Sequence, residues 1–429
     1  MLPAGSPLSD WLSWLETLSP KEIDLGLDRV QTVLARLGLE RPEHVLLIAG
    51  TNGKGSSVAM TDALLTAAGY RVGAYTSPHL IRYNERIAVG GVPVQDKEII
   101  AALERVEAVR RDVPLTYFEY GTLAALVVFS TQDLDVWILE VGMGGRLDAS
   151  NAIDPSASLI TNVALDHCDW LGQDIETIAY EKAGVMRQGV PTVYGTPEVP
   201  QSVLQHAATI GAKLLTVGRD FKYEYRDDGD WNWAGRVAKR NALKRPGLRG
   251  AFQVGNAAAV LALIEAAGLI DAVDRPLLNR VLPTVALTGR LQTVTGGSSE
   301  WLLDVAHNPA AAQVLSASLA AFCESGKTWA IIGLLDDKDV EGVVAELNSQ
   351  VDHWVAVTAD SPRALAAGEL ARRIANAGNR PCRISESLDD AMQFARRSAS
   401  ENDRILVTGS FYLVGPALLN LELYSRPQS

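Results

Sequence analysis

Short apolar runs alternate with longer amphipathic stretches along most of the chain. The apolar runs are rich in β-branched residues, which predicts buried strands, and the stretches between them have helical spacing. Predicted strands of the first part are 45–49, 71–75, 136–141, 158–162 and 192–194, and the helices between them are 93–111, 118–131, 175–186 and 202–210. This alternation favours a mostly parallel sheet with helices on both faces.

The alternation stops between residues 214 and 250, where aromatic and polar residues flank the acidic turn 227–230 and predict a small antiparallel hairpin. A helix at 253–267 follows. A second series has strands at 301–305, 329–334, 354–357, 382–384 and 404–408, with helices near 310–322, 340–348, 364–377, 388–400 and 415–421.

These patterns predict an α/β protein of two domains, since 429 residues exceed one ordinary core. The N-terminal domain, residues 1–286, has a mostly parallel P-loop-type sheet plus the small antiparallel element. The C-terminal domain, residues 287–429, is smaller and Rossmann-like. Ligands of such open sheets bind beyond the carboxyl ends of the strands.

Composition narrows the class of protein. A net charge of −12 without a basic run argues against nucleic-acid binding. No apolar run reaches the ~18 residues of a membrane span, and the N-terminus lacks the basic and apolar regions of a signal peptide. The scattered cysteines Cys168, Cys323 and Cys382 favour reduced thiols. We therefore expect a cytoplasmic protein, and a monomer.

The glycine-rich segment from Gly50 to Ser56 lies between a predicted buried strand and a predicted helix. Such a turn directs backbone N–H groups and a helix N-terminus at an anion. Lys54 adds a charge for the β- and γ-phosphates, and Ser56 or Ser57 adds a hydroxyl. The spacing departs from G-x-x-x-x-G-K-[ST], so a glycine turn without a ligand is the alternative.

Polar residues also follow three other predicted strands. Glu140 ends an apolar strand, where a carboxylate is costly unless it is paired or binds a metal. Ser77 and His167 follow neighbouring strands, and the three side chains together suit Mg²⁺ or Mn²⁺ better than zinc. The alternatives are a Glu140–Arg146 ion pair, a Ser-Pro turn and a hydrogen-bonded loop histidine.

Two further positions carry candidate chemistry. Lys182 is either a solvated helix lysine or a phosphate-binding or carboxylated one. Asp304 and His307 close the first strand of the second series. Asp304 can accept from ribose hydroxyls, or it can cap the helix that follows.

The ordered motifs resemble the Mur-ligase superfamily, and more closely its bifunctional dihydrofolate synthase/folylpolyglutamate synthases, over nearly the whole chain. The motifs that carry the resemblance are Gly50-Thr51-Asn52-Gly53-Lys54-Gly55-Ser56, Thr76-Ser77-Pro78-His79-Leu80, Leu139 to Asp148, Ala164-Leu165-Asp166-His167, Glu181-Lys182-Ala183-Gly184 and Asp304-Val305-Ala306-His307-Asn308-Pro309. The unusual spacing of the glycine loop is a variant found in this family.

The resemblance implies a role for each motif. The residues implied to bind ATP are Thr51, Asn52, Gly53, Lys54, Gly55, Ser56, Asn256, Arg290 and Asp304. Ser77, Glu140 and His167 match magnesium positions, K⁺ is a further candidate cation, and Lys182 matches an N-carboxylated lysine. We expect Lys54, Lys182 and His307 to act in catalysis, with His307 the weakest of the three.

Three segments resemble pterin-contacting parts of the bifunctional enzymes. They are Asp24-Leu25-Gly26-Leu27, Thr116-Tyr117-Phe118-Glu119 and Leu147-Asp148-Ala149. Aromatic rings and a carboxylate suit stacking and hydrogen bonding to a pterin. Core packing is the alternative for Tyr117 and Phe118.

The expected reaction joins L-glutamate to dihydropteroate and to folates through an acyl phosphate made with ATP. The C-terminal domain is expected to close over ATP and to bind glutamate. The alternatives are a folylpolyglutamate-only synthase, a Mur-type UDP-peptide ligase and an ATP-binding switch without ligase activity. About 45 residues before the glycine loop leave no room for a UDP-binding domain.

Overall fold

Strands alternate with helices in the computed structural model of this chain, which describes residues 5–18, 24–294, 300–321, 326–378 and 380–422. The strands are β1 His44–Ala49, β2 Val72–Tyr75, β3 Ile87–Val89, β4 Val92–Pro93, β5 Val136–Glu140, β6 Ala157–Ile160, β7 Pro191–Tyr194, β8 Lys213–Thr216, β9 Lys222–Tyr225, β10 Trp231–Ala234, β11 Lys239–Leu243, β12 Gln292–Val294, β13 Glu300–Asp304, β14 Thr328–Ile332, β15 His353–Ala356, β16 Cys382–Ile384 and β17 Arg404–Thr408.

The helices are α1 Leu8–Leu18, α2 Asp28–Leu37, α3 Lys54–Ala67, α4 Asp96–Arg110, α5 Tyr117–Ser130, α6 Cys168–Leu171, α7 Ile175–Ala183, α8 Gln201–Ile210, α9 Phe252–Ala266, α10 Arg275–Val281, α11 Pro309–Ala321, α12 Val340–Leu347, α13 Ala367–Gly378, α14 Leu388–Ser398 and α15 Phe411–Asn420. None of the helices in the described residues is both long and apolar enough to span a bilayer. Cys323 and Phe322, the predicted end of one helix, lie outside the described residues.

The largest sheet has the order β4-β3-β2-β5-β1-β6-β7-β8. Six neighbouring strands of this sheet pair in parallel, in the order β2-β5-β1-β6-β7-β8. The strands β3 and β4 extend the sheet beyond β2 and pair antiparallel. Ile48 of β1 is in register with Glu140 of β5, and Ala49 with Ile160 of β6. The carboxyl ends of these central strands therefore lie side by side, where ligands bind in open α/β sheets.

Buried side chains of several helices form one core with this sheet. Trp11 of α1, Leu103 of α4, Leu126 of α5 and Trp137 of β5 belong to a single cluster and are nearly inaccessible to solvent. Each such side chain contributes about 1.5–3 kcal/mol to stability. This packing fixes the strands that end at the polar loops.

Several elements differ from the prediction. The helix predicted from 93 begins at Asp96, because Pro93 lies in the edge strand β4, where its missing N–H costs no ladder bond. The 222–243 region contains three strands in the order β11-β10-β9 rather than a hairpin of two. The helices α1 and α2 and the strand β8 were not predicted, although buried residues recur with helical spacing in α1 (Leu8, Trp11 and Leu15) and in α2 (Val30, Val33 and Leu37).

A six-stranded sheet in the order β12-β13-β17-β14-β15-β16 lies in the C-terminal part. Only β12 in this order pairs antiparallel. The chain divides into two compact units. The first contains residues 1–163, 173–247 and 254–285, and the second contains 164–172, 248–253 and 286–429. The Asp166-His167 motif thus belongs to the second unit.

Candidate active site

The glycine loop between β1 and α3 contains two glycines in left-handed conformations, Gly50 with φ 141° and Gly53 with φ 85°. A Cβ on Gly50 would lie 1.8 Å from Thr161 Oγ1, and a Cβ on Gly53 would lie 3.1 Å from Asn256 Oδ1. Both positions therefore require glycine. The loop consequently lies directly against the chain that follows β6 and against α9.

Hydrogen bonds with the segment that follows β6 fix the conformation of the loop. Thr51 N–H donates to Asn162 O at 3.0 Å, and Asn52 N–H donates to Asn162 Oδ1 at 3.0 Å. The hydroxyl of Thr161 donates to Asn52 O at 2.6 Å. The loop is thus held in one shape by residues that follow another strand.

The first turn of α3 contains Lys54, Gly55 and Ser56. The first N–H groups of a helix have no acceptor within the helix, and the helix dipole places partial positive charge beside them. Gly53 occupies the N-cap and has no side chain that could accept from these groups. An anion such as a phosphate suits this position.

Two lysines converge on the start of the loop. Lys54 Nζ donates to the carbonyl oxygens of Gly50 and Thr51, both at 3.1 Å. Lys182 Nζ, from α7, donates to the same oxygen of Gly50 at 3.0 Å. Lys182 is only 3% exposed, which excludes a solvated helix lysine. The convergence of two ammonium groups makes this part of the loop strongly cationic.

The Glu140 side chain is buried at the end of β5 and 5% exposed. Its Oε2 accepts the Ser77 N–H at 3.2 Å, and a Cβ on Gly55 would lie 4.0 Å from the same oxygen. Arg146, the alternative partner, instead forms an ion pair with Glu181 at 2.8 Å. Two predicted metal ligands, Glu140 and Ser77, therefore lie together beside the start of α3.

These oxygen donors fit a hard cation. Mg²⁺ prefers carboxylate and other oxygen ligands, and it normally keeps several waters and substrate phosphates. Within the described ranges, no group of three or more His, Cys, Asp or Glu side chains is arranged to hold a metal. An open site of one carboxylate and one serine agrees better with a nucleotide-bound magnesium than with a closed protein cage.

The segment 116–119 begins α5 with reciprocal caps. Glu119 N–H donates to Thr116 Oγ1 at 3.3 Å, and Glu119 Oε2 accepts the Thr116 N–H at 2.7 Å. Both aromatic rings are partly buried against the core: Tyr117 meets Tyr83 edge-on at 6.1 Å, and Phe118 lies 6.2 Å from Tyr75. Both rings thus take part in packing while each keeps some exposed surface.

The third predicted pterin segment lies beside the second. A Cβ on Gly142 would be 2.5 Å from Phe118 Cζ, so the Phe118 ring lies against the segment that follows β5. Asp148 in that loop accepts the N–H groups of Met143 and Ser150, both at 2.9 Å. Burial raises the pKa of Asp148 to about 6, although these hydrogen bonds and the charge of Lys54 oppose the rise. Leu147 and Ala149 flank this carboxylate.

In the second unit, charged and polar groups surround Asp166, which is 8% exposed. It accepts Lys338 Nζ at 2.8 Å and Asn308 Nδ2 at 2.9 Å, and His307 Nε2 lies 3.5 Å away. Burial alone would raise the pKa of Asp166. The hydrogen bond and charge of His307, with the charges of His167 and Lys338, outweigh burial and hold that pKa well below its usual range.

His167 has φ 51°, a left-handed conformation that residues other than glycine rarely adopt. Its Nδ1 lies 3.8 Å from Asp337 Oδ2, and its backbone N–H donates to Asp166 Oδ1 at 2.9 Å. A strained residue within a charged cluster is typical of functional sites. The structure therefore brings His167 together with His307 in the surroundings of Asp166.

Asp304 accepts the N–H groups of Leu291 and Ala306, at 2.9 and 2.8 Å. Burial raises its pKa despite the charge of Arg290. Asn308, not Asp304, caps α11 by accepting the Ala311 N–H at 2.9 Å, so the N-cap interpretation of Asp304 is wrong.

Arg290 and His307 share an aromatic neighbour in the second unit. The guanidinium of Arg290 lies 5.0 Å from the ring centre of Phe411. The His307 ring lies 6.2 Å from the same ring, and His307 Nδ1 is 2.8 Å from Val305 O. Two of the predicted site residues are therefore held around one ring.

Comparisons with known proteins agree with this geometry. Residues 48–264 match the Mur ligase middle domain, and residues 289–411 match the Mur ligase glutamate ligase domain. The chain is 42% identical over 412 residues to the dihydrofolate synthase/folylpolyglutamate synthase of Escherichia coli K12, covering 96% of this chain and 94% of that protein. The chain belongs to the dihydrofolate synthase/folylpolyglutamate synthase family of Mur ligases.

Solved structures of this family have the same fold. E. coli FolC in complex with DHPP and ADP matches with a TM-score of 0.92 at 40% identity, covering 98% of this chain and 99% of that one. A bifunctional folylpolyglutamate synthase/dihydrofolate synthase with Mn, AMPPNP and L-glutamate bound matches with a TM-score of 0.90 at 40% identity, over 98% and 100% of the two chains. The predicted fold class and family are confirmed.

Several residues beside the family motifs were not predicted from sequence. Asn162 holds the glycine loop, Arg29 joins two of the segments predicted to contact a pterin, and Lys338 and Asp337 contact the Asp166-His167 motif. Asp337 and Lys338 follow β14, and a polar stretch after a predicted strand could have identified them. Arg29 lies within an amphipathic helix and has no local pattern of its own.

Proposed function

We propose that this chain joins L-glutamate to 7,8-dihydropteroate and to folyl(poly)glutamates in an ATP-dependent ligation. One observation carries the proposal. The glycine loop with Lys54 and the Glu140–Ser77 pair lie together at the carboxyl ends of central strands, in a chain of this family. A phosphate-binding loop beside an acidic metal position suits phosphoryl transfer from ATP.

The reaction has two steps. A carboxylate oxygen of the pterin substrate attacks the γ-phosphorus, the bond to the β-phosphate oxygen breaks, and ADP leaves. The amine of glutamate then attacks the acyl carbon, loses a proton and displaces phosphate. Lys54 and the N–H groups of the loop stabilise the charge of the transferring phosphoryl group.

We assign the remaining roles as follows. Thr51 to Ser56 and Asn256 hold the nucleotide phosphates, and Arg290 and Asp304 hold the rest of ATP. Ser77, Glu140 and His167 would hold Mg²⁺, which would neutralise phosphate charge there; K⁺ is a further candidate. The segments 24–27, 116–119 and 147–149 bind the pterin, and His307 is the candidate base. The proposed domains are residues 1–286 and 287–429.

A biochemical setting follows from the same reasoning. The net charge of −12 and the small-molecule substrates support a protein without nucleic-acid or membrane partners. We infer that it acts in the cytoplasm and as a monomer. Sedimentation analysis of the purified chain tests the oligomeric state.

An activity assay tests the function directly. The purified chain is incubated with ATP and Mg²⁺, with dihydropteroate or tetrahydrofolate, with and without glutamate, and phosphate release and product mass are measured. We expect glutamate-dependent phosphate release with both acceptors, loss on chelation and recovery with Mg²⁺ or Mn²⁺. Turnover of tetrahydrofolate alone would indicate a folylpolyglutamate-only synthase. ATP hydrolysis independent of glutamate would contradict ligation.

We also propose that Lys182 is N-carboxylated in the working enzyme. Its Nζ shares the carbonyl oxygen of Gly50 with Lys54 Nζ, at 3.0 and 3.1 Å. Two like charges at one oxygen repel each other, whereas a carbamate on Lys182 would attract Lys54 and nearby cations. The uncharged amine nitrogen bonds to the carbon of CO₂ and a proton leaves, so no further reactant is needed.

Chemical rescue tests this modification. Lys182→Ala should lose nearly all activity, and short carboxylic acids should restore part of it by replacing the lost anion. Small amines serve as the matched control, because they restore a lysine that acts only as a cation. Rescue by amines and not by acids would contradict the carbamate.

A further inference from the structure

Arg29, in the first turn of α2, contacts two of the proposed pterin segments at once. Its Nη1 donates to Asp24 Oδ2 at 2.8 Å, and Nη2 donates to the Asp24 carbonyl oxygen. On the other side, Nε donates to Glu119 Oε1 and Oε2 at 3.1 and 3.2 Å, and Nη2 lies 2.9 Å from Oε1. The guanidinium therefore joins the segment 24–27 to the segment 116–119.

Most of the acceptor capacity of the Glu119 carboxylate is used by contacts within the protein. Besides Arg29 it accepts the Thr116 N–H at 2.7 Å, and its side chain is 5% exposed. A carboxylate has about four acceptor positions, and three N–H groups, from Arg29 Nε, Arg29 Nη2 and Thr116, point at them. Most of the bonding capacity of Glu119 therefore serves to support the segment 116–119.

The guanidinium suits this bridge better than an ammonium would. Arginine presents a planar fork of donors that can serve a carboxylate and a second acceptor together, whereas lysine is a point charge. Burial of Arg29 disfavours its charge, but the hydrogen bond and charge of Glu119, and the charge of Asp24, raise its pKa on balance. Arg29 thus stays charged while it is about three-quarters covered, with 24% of its side chain exposed.

We propose that Arg29 is a positioning residue for the pterin substrate, which it serves by holding the segment 24–27 against the start of α5. The inference rests on the proposed function. Asp24–Leu27 are half-buried and precede α2 without a strand of their own. The Arg29 bridge sets where this segment lies relative to Phe118. Loss of the bridge releases the segment 24–27 from the start of α5 but leaves the glycine loop unchanged.

Steady-state kinetics with separate substrates test this role. For Arg29→Lys and Arg29→Met we expect the KM for dihydropteroate to rise about tenfold or more, with the KM for ATP unchanged and kcat within about threefold. Phe118→Ala, which removes a ring from the same segment, should show the same selectivity. Arg29→Met should raise the KM for dihydropteroate more than Arg29→Lys does, because it also removes the charge.

Arg71→Lys provides the matched control. Arg71 also bridges two carboxylates of the first unit, Asp133 and Asp135, but it is exposed and contacts none of the pterin segments. Its substitution should leave both KM values unchanged. Thermal unfolding of every variant, and binding of ADP measured separately, show whether the chain still folds and binds nucleotide.

The results of these measurements distinguish a failure of the Arg29 role from a failure of the proposed function. Equal losses for dihydropteroate and ATP, or an unchanged dihydropteroate KM in both Arg29 variants, would overturn the positioning role while the wild-type activity upholds the proposed function. If the wild-type chain neither binds nor turns over dihydropteroate, the proposed function fails and the role of Arg29 fails with it. If Arg29→Met does not fold, Arg29→Lys alone decides.

Discussion

In the first unit, Lys54 and Lys182 both donate to a backbone carbonyl at the start of the glycine loop, whereas in the second unit Lys338 lies between two carboxylates. Lys338 Nζ is 2.8 Å from Asp166 Oδ1 and 3.2 Å from Asp337 Oδ2. Arg363 adds a further cation 3.0 Å from Asp337 Oδ1. Both regions contain several charged side chains, but the lysines of the first bind neutral carbonyl oxygens and the lysine of the second binds charged carboxylates.

This difference indicates what each region is built to hold. An ammonium bound to a carbonyl can turn to a phosphate with a net gain, because charge-assisted bonds are roughly twice as strong as neutral ones. An ammonium between buried carboxylates gains little by exchanging them for a ligand. We therefore expect the glycine loop to bind an anionic ligand, and Lys338 to hold Asp166 and Asp337 together beside the proposed site residues His167 and His307.

The largest expected effect concerns the loop. Lys54→Ala should lower kcat/KM about a thousandfold or more, equivalent to about 4 kcal/mol of transition-state stabilisation. Thermal stability should stay the same, because Lys54 contacts loop carbonyls and not the core. Lys97→Ala, which removes an exposed lysine from α4, is the control and should change neither quantity. A folded Lys54→Ala enzyme with near-normal turnover would contradict the ligand-directed role of the loop.

The second region should respond in stability. Lys338→Met leaves Asp166 and Asp337 without their shared cation, and breaking a buried pair of this kind costs about 3 kcal/mol or more. Urea unfolding should therefore show a lower midpoint, and Asp166→Asn combined with Lys338→Met should recover part of the loss. Arg372→Met, which breaks the exposed pair with Glu369, should not shift the midpoint.

Activity measurements on the same variant sharpen the comparison. If Lys338→Met keeps the wild-type unfolding midpoint but loses glutamate-dependent turnover, then Lys338 itself serves a ligand, and the contrast between Lys338 and the two lysines of the glycine loop fails.

These two regions also show what the sequence could predict. The glycine loop, Glu140 and Ser77 were predicted as site residues because each lies at the end of an apolar strand. A short stretch of sequence is enough to show this pattern. The rule that parallel strands end at one edge then placed them near one another. Their proximity at the edge of the large sheet needed no knowledge of distant contacts.

The remaining contacts depend on residues far apart in the chain. Asp166 and Lys338 are 172 positions apart, and Arg29 and Glu119 are 90 apart. A salt bridge between such positions leaves no periodic pattern in the sequence. The same holds for Lys182, whose burial against Gly50 could not be distinguished from solvation on an amphipathic helix. Tertiary packing, which no local window contains, decided all three.

The smallest expected effect concerns a buried carboxylate in the first unit that lacks the surroundings of Asp166. Asp62, on α3, accepts the Thr66 hydroxyl at 3.1 Å, and burial raises its pKa to about 6 despite that hydrogen bond. The folded protein therefore binds this proton more tightly than the unfolded chain, whose aspartate titrates near 3.9.

Stability from this group is fully present below about pH 4 and is lost as the pH rises through about 6. Asp62→Asn keeps an acceptor for Thr66 and never ionises, so it should raise the free energy of unfolding at pH 8 by about 3 kcal/mol and leave it unchanged near pH 4. Urea unfolding of both proteins from pH 4 to pH 8 measures this difference. An Asp62→Asn protein that is equally or less stable than the wild type at pH 8 would show that Asp62 has a charged partner, as Asp166 does, and would remove this contrast between the two units.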